Sequence, residues 1–314
     1  LIGHHLMDCQ PNFEIGSSEQ QLAFHKLRHA GSMHRRQTTS LEIELTDHVT
    51  SGRIGRLNLG DIVISTPILW LGHQIDGRPQ PWRHFRVPGV LVNAWDLLSN
   101  EGTFARNHVN DLKTYLGLDC SCPIMLDSGG YLYLKQGTLQ VDPYTILALY
   151  KKLKPNIGVI LDHPLDPFVT PELNHKRWQQ TLTNTRAMIH SNGCLILMPV
   201  VHAHSVEATK QACAELRSII GNPTIVGVGS LVPLMRTHHN GKILRREWCE
   251  VTGKRYQSSR HLAIEIVRTV RTEFSQAFLH VFGVGGTTTM HLMFALGVDS
   301  LDSVGWRLKA AYGA

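Results

Sequence analysis

The 314-residue chain is 42% hydrophobic and 18% charged, a balance that supports a large buried core and excludes a chain that is disordered throughout. No apolar run approaches the roughly 18 residues that span a bilayer, and no charged segment followed by an apolar one opens the chain, so neither a membrane span nor a secretory signal is expected. The formal charge of +6, with 19 His counted neutral, permits a nucleic-acid partner without requiring one.

Residues 1–50 are rich in His and Ser, and their apolar period is weak. They read as a poorly structured N-terminal extension, with an arm around Arg35-Arg36 as the alternative. From residue 57 short apolar, β-branched runs recur, each followed by Gly, Pro, Asp or His. There are eight: Ile62–Trp70, Gly89–Ala94, Pro123–Leu126, Ile157–Leu161, Leu195–Val201, Thr224–Val228, Phe278–Phe282 and Val298–Val304. Unbroken apolar strands predict burial on both faces, as in a parallel sheet. Helix-like stretches separate most of them, at Val141–Leu153, Pro171–Ser191, Ser205–Ile220, Ser259–Ser275 and Thr287–Leu296. Asp142 and Thr170 are the expected N-caps, each followed by a Pro at the first helical position. Eight strands alternating with helices predict a (β/α)₈ barrel over residues 51–314, with an open doubly wound sheet as the rival.

About thirty residues separate the run at 224–228 from the helix at 259, too many for an ordinary βα loop. This insertion, 233–257, carries Arg236, His238, His239, Lys242, Arg245, Arg246, Lys254 and Arg255. It reads either as a solvated loop or as a loop for a phosphate backbone. The cysteines (Cys9, Cys120, Cys122, Cys194, Cys213, Cys249) contain no CxxC pair, which predicts reduced thiols and a cytoplasmic protein.

In a barrel, reactive groups sit at the C-terminal strand ends. The third run ends on Asp127-Ser128-Gly129-Gly130-Tyr131, the fourth on Asp162-His163-Pro164, the fifth on His202 and the sixth on Gly229-Ser230-Leu231. The last carries Asp299 and Asp302, then Gly305-Trp306-Arg307. A lone Asp there is usually a helix cap, but three on strand ends of one barrel point to a shared mouth. Paired carboxylates suit glycosyl transfer: one attacks the anomeric carbon while another, its pKa raised, moves protons. A third can read a guanine-like edge by accepting from its N–H groups. Gly129-Gly130 and Gly227–Gly229 would let the backbone approach a flat ligand. Gly283-Val284-Gly285-Gly286 opens a helix and would suit a phosphate. His202-Ala203-His204 offers two imidazoles without a third ligand in the run, so no metal site is expected there. An unrelated barrel enzyme for a small phosphorylated substrate would need a Lys or a metal cluster at the strand ends, and neither is seen.

These motifs, with His280-Val281-Phe282-Gly283-Val284-Gly285 through Gly297-Val298-Asp299-Ser300-Leu301-Asp302-Ser303-Val304, resemble the tRNA-guanine transglycosylase family over residues 57–314. The resemblance implies exchange of guanine in a nucleic acid for a 7-deazaguanine base through a covalent Asp–glycosyl intermediate. By position it implies that Asp302 is the nucleophile, Asp127 the general acid/base and Asp162 the carboxylate that reads the base. Gly130, Tyr131, His202, Gly229 and Ser230 would complete the base pocket. Arg307, with Arg245, Arg246 and Lys254 of the insertion, would face the nucleic acid. Leu132 stands where the family has Gln, His202 where it has a pocket Gln, and Gly305-Trp306-Arg307 where it has Pro-Thr-Arg. These departures, with the insertion, favour DNA over tRNA. The family's structural zinc ligands are absent here, and the chain is expected to be a fragment without the zinc subdomain; no other cofactor is implied. The implied partners are a nucleic acid and a free base, with a homodimer or partner proteins left open. The alternative is a non-catalytic binding or partner subunit on the same barrel.

Overall fold

The structure, a computed structural model, describes residues 39–75, 77–99, 110–135, 141–235 and 260–312, and four short strands between 238 and 255. Three antiparallel strands come first: β1 (Thr39–Thr46), β2 (Arg53–Leu59) and β3 (Ile62–Thr66), in the order β1-β2-β3. The barrel strands follow: β4 (Ile68–His73), β5 (Val90–Asn93), β6 (Ile124–Asp127), β7 (Ile157–Val159), β8 (Leu197–Met198), β9 (Val200–Val201), β10 (Ile225–Val228), β15 (Phe278–Val281) and β16 (Ser300–Ser303). Between β10 and β15 lie two hairpins, β11 (His238–His239) with β12 (Lys242–Ile243) and β13 (Trp248–Cys249) with β14 (Lys254–Arg255).

The large sheet runs β8-β7-β6-β5-β4-β16-β15-β10-β9, and every pairing in it is parallel. β8 and β9 are the two halves of one strand, interrupted at Pro199, which has no N–H for the ladder. Gly227 N–H still donates to the Pro199 carbonyl at 2.8 Å, and Gly158 N–H to Ile196 at 2.9 Å. Joined there, the sheet closes into the eight-stranded barrel that the alternating runs predict.

Two sequence expectations need correction. The run Ile62–Trp70 is not one strand: it breaks at Pro67, so that β3 belongs to the antiparallel sheet and only β4 enters the barrel. The expected unstructured stretch to residue 50 includes β1, whose Leu41 pairs with Leu57 in register. Residues 1–38 lie outside the described residues. The helices agree closely with expectation. Asp142 accepts from the amides of Tyr144 and Thr145 to start the helix Pro143–Leu153. Thr170 caps Pro171–Ser191, and Ser205 caps Val206–Ile220. These bonds satisfy amides that the first helical turn leaves without partners.

The period-2 alternation of each strand splits the core into an inside and an outside. Inside the barrel lie Trp70, Leu91, Met125, Ile157, Val159, Met198, Val200, Ile225 and Phe278, with Leu57, Leu59 and Ile64 of the antiparallel sheet packed against them. The opposite strand faces pack under the helices in two further clusters. Burying a side chain of this size contributes about 1.5–3 kcal/mol, so the filled interior sets the barrel's width and holds its mouth residues in place. Among the described residues no helix is long and apolar enough to cross a membrane.

Candidate active site

One cavity of about 730 Å³ opens at the C-terminal strand ends. Asn93 and Asp127 enter it from the ends of β5 and β6, and Asp162 and His202 from the segments after β7 and β9. Gly229 and Ser230 follow β10, Phe282 and Gly283 follow β15, and Asp302 stands on β16. Tyr131, Leu132 and Arg307 line its rim. The three carboxylates expected to converge therefore do so, because each ends or follows a parallel strand of a closed barrel.

Asp127 accepts from Asn93 Nδ2 at 2.9 Å. Burial, then the negative charges of Asp162 and Asp302, push its carboxyl up to about 8, against weaker opposing bonds from the Gly129 and Ser128 amides. A carboxyl that stays protonated near neutrality can give a proton to a leaving base and later take one back. This also predicts a stability signature. The folded pKa lies above the unfolded value of 3.8, so the folded state holds the extra proton between about pH 4 and 8. The contribution is fully present below pH 4 and is lost as pH rises through 8. Asp127→Asn avoids that loss, so its melting temperature should match the parent's near pH 4 and exceed it increasingly toward pH 8. Parallel melting curves across that range would sink the assignment.

Asp162 is buried and held from both sides. Ser128 Oγ donates to its Oδ1 at 3.1 Å, and His202 Nε2 lies 2.8 Å from its Oδ2. The other ring nitrogen of His202 lies 2.8 Å from Ser230 Oγ, and that same oxygen accepts from Leu165 N–H at 2.7 Å. With one ring proton, the arrangement puts it on Nε2 toward the carboxylate, leaving Nδ1 to accept the Ser230 hydroxyl proton. His202 thus lines the cavity with both ring nitrogens beside protein groups, and the ring orients Asp162.

Two of the glycines, of which Gly229 lines the cavity, are also closely approached by the protein itself. A Cβ on Gly130 would stand 2.2 Å from the Asp162 carbonyl oxygen, and one on Gly229 would stand 2.4 Å from His202 Cε1. Both positions admit only glycine without displacing the Asp162–His202 pair.

Asp302 accepts from Gly283 N–H through Oδ1 at 2.6 Å, and among the described residues none bonds to Oδ2. Leu301 packs into the cluster under the helices, so the alternation turns Asp302 inward. Asp302 does not anchor Arg307, whose Nη2 donates to the Arg78 carbonyl at 2.9 Å. Asp299 sits elsewhere, fully buried at the other end of the strand. It takes two bonds from Arg53, at 2.7 and 2.6 Å, and one from Arg271 at 3.2 Å.

Sequence reasoning missed Asn93, although it is the polar end of an apolar run and the same strand-end rule finds it. It also missed His280, hidden inside a run whose neighbours are all apolar. Arg245 and Arg246 lie outside the described residues. Lys254 is on β14, one half of a hairpin where a plain loop was expected. Cys120, Cys122, Cys194 and Cys213 are free thiols. Among the described residues no group of three or more His, Cys, Asp or Glu is placed to hold a metal ion, so nothing in this part of the chain fits a zinc site.

Comparison with known proteins bears on this geometry. Residues 47–314 match the queuine tRNA-ribosyltransferase family. Among similar curated proteins, the tRNA-guanine(15) transglycosylase of Methanosarcina barkeri is 25% identical over 281 residues, covering 86% of this chain and 51% of the relative. The proteins of the same name from Pyrobaculum aerophilum and Methanocaldococcus jannaschii are also 25% identical, over 86% of this chain and 50% and 39% of their own lengths. The chain thus spans about half the length, or less, of these curated relatives. With its barrel closed and its strand-end carboxylates gathered at one mouth, the chain belongs to the queuine tRNA-ribosyltransferase family.

Proposed function

We propose that this protein is a pentosyltransferase that exchanges guanine in a nucleic acid for a 7-deazaguanine base by double displacement at the sugar C1′. In the first half, Asp302 Oδ2 attacks C1′. The bond from C1′ to the guanine N9 breaks, its electron pair stays on the base, and the base takes the proton of Asp127. In the second half, Asp127 removes the N9 proton of the incoming base. That nitrogen attacks C1′, and the C1′–Oδ2 pair returns to Asp302. Two inversions preserve the sugar configuration. The observation that carries this reading is the pairing of unlike carboxyls in one cavity: Asp127, pushed up to about 8, beside an Asp302 carboxylate with one oxygen pinned and the other open.

Asp162 is the base reader, its carboxylate accepting from N–H groups of a guanine-like edge while Ser128 and His202 fix its plane. Asp162→Asn should weaken guanine binding by about 1–3 kcal/mol in calorimetry, because one acceptor becomes a donor facing a donor. Equal affinity would remove the role. Tyr131, Leu132 and Phe282 supply flat or apolar walls for the base. Arg307 at the rim meets the phosphate backbone, and Arg245, Arg246 and Lys254 of the insertion add positive charge for it.

The relatives' names specify tRNA, whereas the departures at Leu132, His202 and Gly305-Trp306-Arg307 favour DNA. The deciding experiment incubates the full-length protein with labelled guanine and either polymer, side by side. Label entering one polymer, and not entering it with Asp302→Asn, supports the exchange and names the substrate. No incorporation and no trapped adduct with either polymer would leave a non-catalytic binding subunit.

A further inference from the structure

His280 lies inside the barrel on β15, between the inward-facing Phe278 and Phe282. It is fully buried, and its ring meets Phe282 edge-on with centroids 4.3 Å apart. An imidazole is an expensive filler for such a place, where Leu or Phe would pack without polar atoms. Nδ1 lies 2.6 Å from the hydroxyl of Ser300, itself fully buried on the neighbouring β16. Among the described residues Nε2 has no hydrogen-bond partner, and it lies 3.4 Å from Asp302 Oδ1. A similar arrangement appears across the mouth, where His202, just after β9, has Nδ1 2.8 Å from Ser230 Oγ and Nε2, also without a formed hydrogen bond, 2.8 Å from Asp162 Oδ2. Each of these two histidines thus places Nδ1 beside a serine and Nε2 beside a carboxylate, and of the two carboxylates only Asp162 is a base reader.

We propose that His280 is a positioning residue for Asp302. Its Nε2–H, with the Gly283 N–H, claims Oδ1 and leaves Oδ2 as the attacking atom. This rests on Asp302 being the nucleophile proposed above. The Ser300 hydroxyl donates to Nδ1 and so keeps the ring proton on Nε2. At 3.4 Å the contact is longer than a formed hydrogen bond, and bonds of this kind commonly close only when substrate is bound. Its moment is the second half of the exchange. When the C1′–Oδ2 bond breaks, its electron pair returns to the carboxylate, and the charge shared onto Oδ1 meets two N–H donors already in place.

Two near-isosteric variants of the full-length protein separate this from packing alone. Gln places its amide nitrogen near the position of Nε2, and Asn near that of Nδ1. His280→Asn, which loses the donor to Asp302, should lower kcat for labelled-guanine exchange about tenfold to a hundredfold. Its KM for guanine should stay within about twofold. His280→Gln, which keeps that donor, should stay within about threefold of the parent in kcat. Equal losses in both variants, or no loss in either, would overturn the proposal. Should either variant melt as an unfolded chain, Ser300→Ala tests the same wiring: kcat should fall by about threefold or more at unchanged KM, and an unchanged kcat overturns it. Asp302→Asn is the control. Exchange that survives in Asp302→Asn refutes the nucleophile and this proposal together. Exchange lost in Asp302→Asn but untouched by the His280 variants refutes the proposal alone.

Discussion

Asp302→Asn should abolish the denaturation-resistant adduct between protein and polynucleotide, and lower base exchange by on the order of 10⁴-fold. An amide is a poor nucleophile toward C1′ and a poor leaving group from it. The fold should not suffer. Asp302 sits at the cavity, and its bond among the described residues is accepted from the Gly283 N–H, which an Asn carbonyl oxygen can also accept. A melting temperature near the parent's, with adduct and turnover both gone, is the expected combination. An adduct persisting in Asp302→Asn, or vanishing only in Asp127→Asn, would move the nucleophile elsewhere.

Asp299→Asn should do the reverse, costing stability while sparing chemistry. The Asp299 carboxylate neutralises two buried guanidiniums and also accepts from Leu279 N–H at 2.7 Å. Burial already pulls Arg271 down to about 10, opposed by the Asp299 charge. Removing that charge leaves two cations facing each other in the core, a loss of about 3–5 kcal/mol. The melting temperature should fall by roughly 10 °C. Asp299 does not line the cavity, so the fraction that stays folded should trap adduct as the parent does. A variant that melts like the parent would show that the Arg53–Asp299–Arg271 cluster is not stabilising. One that folds but cannot form adduct would place Asp299 in the reaction.

Local pattern made the barrel legible. Apolar runs ending in Asp, His or Gly predict both the parallel strands and the mouth to which they bring Asp127, Asp162 and Asp302. The helix caps at Asp142 and Thr170 are legible for the same reason, since their whole signal lies within four residues. Other features have no such signature. The break at Pro67 looks like a continuous run until β3 is seen pairing with β2. Arg53 and Asp299 meet across 246 residues, and neither neighbourhood announces the other. The role of His202 depended on Ser230 and Leu165, brought beside it from two other loops. Gly130 and Gly229 also make room for Asp162 and His202. Pro67 apart, the missing information was a contact between segments distant in sequence.

The closure of the barrel bears on how the chain acquires its reactive group. β16 inserts between β15 and β4, pairing Ser300 with Ile68, and it carries Asp302. Until that strand docks, β4 and β15 each present an unpaired edge, and closing the loop is a long-range, slow event. Asp127 and Asp162 belong to βα units that can assemble from neighbouring segments. The group proposed to attack C1′ arrives only with the last strand, when the edges vanish and Asp299 reaches Arg53. A chain in which β16 has not docked therefore lacks the assembled carboxylate pair.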